Sequence, residues 1–163
     1  MRFAQYKYLC EHIFEADESG NIKQHYDKIE AASLPPLVLA YIGDAYFHLF
    51  VRTRLLFFEK NKVHILNDFS AKIVSATYQA YAYRNLQDEL TAEEKDIFRK
   101  AYNAKSHAPR VASIVDYHTS TGIEAIIGYL QLTASEERLR LLCEKSFQLI
   151  IKKIRQEQSS TDQ

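Results

Sequence analysis

The 163-residue sequence has no tryptophan, one methionine, two cysteines, three prolines and four glycines. So little glycine and proline leaves few residues for the tight turns of a β fold, which need positive φ or a preset φ. Cys10 and Cys143 lie far apart, with no metal-type or redox-type spacing, and read as ordinary thiols of a reducing compartment. Neither sign of charge is in excess, since 21 Lys and Arg balance 21 Asp and Glu. That balance argues against a strongly basic nucleic-acid protein while leaving room for a local basic face. An uninterrupted membrane-length run is missing too: the longest apolar stretch, Leu34 to Val51, contains Asp44 and His48 and opens on two prolines. The N-terminus is too densely charged for a signal peptide. What is left is a cytosolic chain of one domain, with 47% hydrophobic residues to build a core.

Helical periodicity dominates the rest. An amphipathic segment covers about Phe3 to Ala16 and stops at "DESGN". After a polar stretch, "SLPP" (Ser33 to Pro36) launches a long apolar helix from about Leu37 to Phe57, because proline is tolerated in a first turn. Lys62 to Leu90 predicts one or two helices, with Ile65, Phe69, Ile73, Val74 and Tyr78 at helical spacing. Thr91 and Glu94 form a capping-box pattern that starts a helix running to about Ala104. "KSHAPR" (Lys105 to Arg110) is expected to be a loop. A helix over about Ser120 to Leu132 follows. Ser135 is expected to cap the last helix, which leads into a frayed polar tail. The fold class predicted is all-α, a single helical domain.

Two of these helices carry an acid among apolar residues. In "LAYIGDAYFHLF" (Leu39 to Phe50) it is Asp44, with Ala40 one turn before and His48 one turn after. In "STGIEAIIGYLQL" (Ser120 to Leu132) it is Glu124, with Gly128 one turn on. Small neighbours on both stripes would let the two helices approach closely and bring the carboxylates together. A buried carboxylate needs a partner. Ion pairing with Arg52 or Lys72 is one solution. A hard divalent cation held by both acids is the other; oxygen-only ligands with room for water suit Mg²⁺ or Mn²⁺ and point to phosphoryl chemistry.

The residues around the two acids resemble the short branch of the ribonuclease III family, Mini-ribonuclease III, which lacks a separate double-stranded-RNA-binding domain. The resemblance rests on "LAYIGDAYFHLFVR", "STGIEAIIGYL", the intervening "LNDFSAKIVSATYQA" (Leu66 to Ala80) and "NAKS" (Asn103 to Ser106), and spans about Leu34 to Phe147. It implies a ribonuclease III-like catalytic domain over residues 34–150; a helical extension of unknown role over 1–33 and a polar tail over 151–163 lie outside it. It also implies that Asp44 and Glu124 are the catalytic, metal-binding carboxylates of a Mg²⁺-dependent endoribonuclease, with Mn²⁺ as a substitute. Larger relatives place further acids where this chain has Ala40 and Thr121, so the metal would have fewer protein ligands and more waters. A homodimer that cuts both strands of double-stranded RNA is implied, with precursor 23S ribosomal RNA as substrate in ribosome biogenesis; whether a ribosomal protein presents it is left open by the sequence. The alternative is a catalytically silent dimer that binds RNA during ribosome assembly.

For contacts to phosphate or 2′-hydroxyl groups the candidates are Lys72, Asn103, Lys105, Ser106 and Arg110. Duplex RNA would be read by its A-form shape rather than its sequence. Ser75 and Gln79 are expected to hydrogen-bond inside the fold. The six histidines show no zinc spacing; His48 is either a group that orients Asp44 or a core histidine. Tyr41, Tyr46, Tyr78, Tyr81 and Tyr83 are expected in the core and at a dimer interface.

Overall fold

The structure, a computed structural model, describes residues 2–13, 15, 20, 25–104 and 113–161. Among these residues it is all-α, with eight α-helices: α1 (Arg2–His12), α2 (Lys28–Ser33), α3 (Pro36–Leu55), α4 (Val63–Ile73), α5 (Ala76–Leu86), α6 (Ala92–Tyr102), α7 (Ile114–Leu132) and α8 (Glu136–Thr161). A short 3-10 turn, Gln87–Glu89, joins α5 to α6. None of these helices is long and apolar enough to cross a membrane.

Local chemistry accounts for most of the boundaries. Pro36 occupies the first turn of α3, where its missing N–H leaves no bond unmade. The expected capping box of α6 is present: Thr91 Oγ1 accepts from the Glu94 amide, and the Glu94 carboxylate accepts from the Thr91 amide. A second capping box, between Asp27 and Glu30, starts α2 inside the stretch expected to be merely polar. Two further expectations are corrected. Helix α7 begins at Ile114 rather than near Ser120, because Ser113 caps it by accepting from the Asp116 amide at 3.0 Å. Helix α8 does not fray at the start of the polar tail; it continues to Thr161, held by Ile150 and Ile154 in the core. The expected "KSHAPR" loop lies outside the described residues.

Helix α7 is the axis of the fold and packs against α2, α3, α5, α6 and α8. It is buried all round, with Ile123, Ala125, Ile126, Ile127, Tyr129 and Leu130 each under 5% exposed. A helix apolar on every side must be central, and each such aliphatic side chain contributes about 1.5–3 kcal/mol on burial. Helix α3 buries one stripe against it: Leu39, Gly43, Phe47, Val51 and Leu55, spaced four apart.

The α3–α7 crossing is unusually close, and two glycines permit it. A Cβ on Gly43 would lie 1.8 Å from the Glu124 carbonyl oxygen; one on Gly128 would lie 1.9 Å from that of Leu39. The small-residue approach expected from Gly128 is therefore present, with Gly43 as its counterpart on α3. The contact brings together the chain segments that carry the two acids.

Candidate active site

Glu124 sits on α7 beside this crossing, and Asp44 follows Gly43 on α3. The two acids meet different environments. The Glu124 side chain accepts a hydrogen bond at Oε1 from Gln79 Nε2, at 2.9 Å. Burial, and then the negative charge of Asp44, push its pKa up to about 7, against a smaller downward pull from Gln79. Asp44 thus lies near enough to Glu124 for its charge to disfavour ionisation there.

Asp44 itself is not buried. Its side chain is 51% exposed, which corrects the expectation drawn from the apolar run around it. The run is apolar because both faces of α3 are: one packs on α7, and the other shows Val38, Tyr41 and Leu49 to solvent. Asp44 lies at the edge of the α7-facing stripe, next to Gly43, where it is open to solvent and still acts on Glu124. His48, one turn on, places Nε2 3.3 Å from Asp44 Oδ1. The contact that an orienting His48 would need is therefore present.

Among the described residues neither acid is paired with lysine or arginine. Arg52 is exposed, and Lys72 places its ammonium over the Tyr78 ring, 5.7 Å from the centroid. Tyr78 in turn hydrogen-bonds Glu157 of α8. Lys72 is therefore engaged on the α4–α5–α8 side. Asn103, at the end of α6, donates its side-chain amide to the Arg99 carbonyl at 2.9 Å, a helix-end bond. Neither of these two RNA-contact candidates hydrogen-bonds or ion-pairs with Asp44 or Glu124 among the described residues, and Lys105, Ser106 and Arg110 lie outside the described residues.

The donor set is small. Among the described residues no group of three or more His, Cys, Asp and Glu side chains is arranged to hold a metal ion. Two carboxylates, one open to solvent and one destabilised in its charged form, fit a hard cation that keeps most of its water. The metal is thus a fit to the chemistry of the pair rather than to a closed protein cage.

Sequence reasoning placed Gln79 inside the fold without naming its partner. Gln79 is 2% exposed and its partner is Glu124 itself. The signals for Gln79 were its place one turn after Ser75 and its share in the "LNDFSAKIVSATYQA" resemblance, and neither points to Glu124.

Residues 37–135 match the Ribonuclease III domain family. The chain is 41% identical over 119 residues to a Mini-ribonuclease 3 of Thermoanaerobacter sp., covering 72% of this chain and 84% of that one. It is 45% identical over 108 residues to a Mini-ribonuclease 3 of Symbiobacterium thermophilum, covering 66% and 83%. A crystal structure of a Fusobacterium nucleatum protein superposes with a TM-score of 0.65 at 32% identity, covering 73% of this chain and 94% of that one.

Proposed function

The chain belongs to the ribonuclease III family, in its Mini-ribonuclease 3 branch, and is an endoribonuclease; from that premise we propose that it cuts double-stranded RNA at a Mg²⁺ site held by Asp44 and Glu124. The observation that carries the site is the carboxylate pair itself. Asp44 raises the cost of charging Glu124, and among the described residues no protein cation offsets it. A cation at this place would remove the repulsion, so the pair is matched to a divalent ion.

Bound there, Mg²⁺ would supply a water nucleophile at neutral pH and offset the charge that develops on the phosphate oxygens. The chain's own residues do the rest. Asp44 and Glu124 hold the ion, and His48 keeps Asp44 in place. Lys72, Asn103, Lys105, Ser106 and Arg110 are the proposed contacts to the RNA backbone. Mn²⁺ would substitute for Mg²⁺.

The cellular substrate proposed is precursor 23S ribosomal RNA, cut in the cytoplasm during ribosome biogenesis, with a ribosomal protein presenting the paired stem. The working unit is a homodimer with one site for each strand. In support, α3 exposes Val38, Tyr41 at 75% and Leu49 at 62% beside Asp44. A second copy of that face would cover them and set two sites near one duplex.

The deciding experiment is cleavage of an end-labelled RNA duplex, including the paired 23S ends, with Mg²⁺ or with EDTA. Metal-dependent cuts on both strands support the proposal; no cleavage of either duplex with Mg²⁺ rejects it. Sedimentation of the parent and of Tyr41→Asp tests the dimer, which the substitution should break.

A further inference from the structure

Gln79 is a glutamine at an apolar position, and its bonds are unusual for a structural one. Both hydrogens of its amide nitrogen are used: Nε2 donates to the Val74 carbonyl at 2.9 Å and to Glu124 Oε1 at 2.9 Å. Its own Oε1 is buried and has no hydrogen-bond partner. The amide cannot be turned over, since that would set its oxygen against two acceptor oxygens. Its donor end is committed in full, one hydrogen to the backbone and the other to a carboxylate.

The Val74 bond supplies the anchorage. Val74 closes α4, and its carbonyl lies at the helix end. Gln79 is thereby tied to the α4–α5 corner on one side and to α7 on the other, with a side chain almost free of solvent. Only one of Glu124's two oxygens is taken; Oε2 has no hydrogen bond among the described residues. A neutral amide also orients Glu124 without cancelling its charge, as a guanidinium would.

We propose that Gln79 is a positioning residue: it holds Glu124 by Oε1, fixes the carboxylate plane, and keeps Oε2 free for the divalent cation. This rests on the assignment of Asp44 and Glu124 as the metal carboxylates. Groups that orient a ligand typically change metal affinity or activity about 10–100-fold when removed.

The test uses Gln79→Leu and Gln79→Met, which remove the donor and keep an apolar side chain of similar size. Folding is checked by circular dichroism, and each variant's stability by its own metal-free melt. Mn²⁺ binding without RNA is read by water-proton relaxation, beside Asp44→Asn and Glu124→Gln. The expected result is Mn²⁺ binding weakened about tenfold or more. In cleavage, the half-saturating Mg²⁺ concentration should rise and kcat fall, with KM for the duplex unchanged. If the folded variants bind Mn²⁺ and respond to Mg²⁺ like the parent, even with a lowered melting temperature, Gln79 serves only to close α4 and the inference fails. If Asp44→Asn and Glu124→Gln also bind Mn²⁺ like the parent, the site assignment fails, and the inference with it.

Discussion

Glu94 and Glu124 both lie on helices that pack against the core, and the fold treats them in opposite ways. Glu94 is 2% exposed and is gripped by Arg138, Nε to Oε1 at 2.7 Å and Nη2 to Oε2 at 2.8 Å, while also closing the cap of α6. Burial alone would raise its pKa, but the Arg138 bonds and charge and the Thr91 bonds together bring it below the ordinary value. Glu124 has one amide donor and a neighbouring acid, and its pKa is pushed up to about 7. One carboxylate is neutralised by a residue of its own chain; the other is left in need of a cation. Burial of an acid is therefore a poor sign of function by itself, and the identity of its partner is the informative part.

Removing the acids separates the two regions most sharply. Asp44→Asn or Glu124→Gln should lower cleavage by on the order of a thousandfold or more, with melting temperature unchanged or raised, because a repulsion has been relieved. Activity assays and thermal melts on the same samples check both halves. Loss of folding instead would put Asp44 and Glu124 in the same structural class as Glu94.

The converse change falls on Arg138. Arg138→Met leaves Glu94 buried and unpaired, at a cost of about 3 kcal/mol, the low end for a broken buried pair because Arg138 keeps partial exposure. At this chain length that is a fall in melting temperature of roughly 6–12 °C. Cleavage per folded molecule should hold at low temperature. Adding Glu94→Leu should recover part of the stability, since the stranded charge is then gone.

The α3–α7 crossing couples packing to the site. Gly43→Ala places a methyl group against the Glu124 carbonyl, so the helices must separate, costing about 1–3 kcal/mol. Cleavage should fall further than stability suggests, by up to about a hundredfold, since small displacements of catalytic groups are costly. Equal losses in Gly43→Ala and a core Ile→Val control would argue against that coupling.

The two acids also predict opposite pH slopes, the mildest of these effects. Glu124 binds its proton more tightly in the folded state. Without metal, its contribution to stability is present below the ordinary value of 4.5 and is lost as pH rises towards about 7, with a slope of at most about 1.4 kcal/mol per pH unit. Glu94 has a lowered pKa, so its contribution is present above 4.5 and is lost as pH falls below that. Metal-free melts across this range should show the first slope flattened in Glu124→Gln and the second persisting. Mg²⁺ should stabilise the parent more at pH 8 than at pH 6, since it binds the ionised form.

Local pattern carried much of this protein. The capping box of α6, the proline entry to α3 and the apolar stripes depend on residues three or four apart, so the linear sequence specifies them. The two acids stood out for the same reason, as charges within an apolar helical period, and the family resemblance was written in the residues around them. Some local signals were overlooked: Asp27 with Glu30 marks α2, and Ser113 with Asp116 opens α7.

Other features belonged to the tertiary structure alone. Both faces of α3 are apolar, so periodicity had no means of telling the face on α7 from the face towards solvent, or of showing that Asp44 would be half exposed at the edge between them. Gln79 is 45 residues from Glu124, and an isolated glutamine says nothing about which distant oxygen it will meet. Arg138 is 44 residues from Glu94, so the sequence did not reveal that one acid would be neutralised by an arginine and the other left without a cation. Helix formation is governed by neighbours along the chain, whereas the charge state of a buried acid is governed by whatever the fold packs against it. The helices and the suspect acids were therefore fixed locally, and the difference between them was decided where α3, α5 and α7 meet.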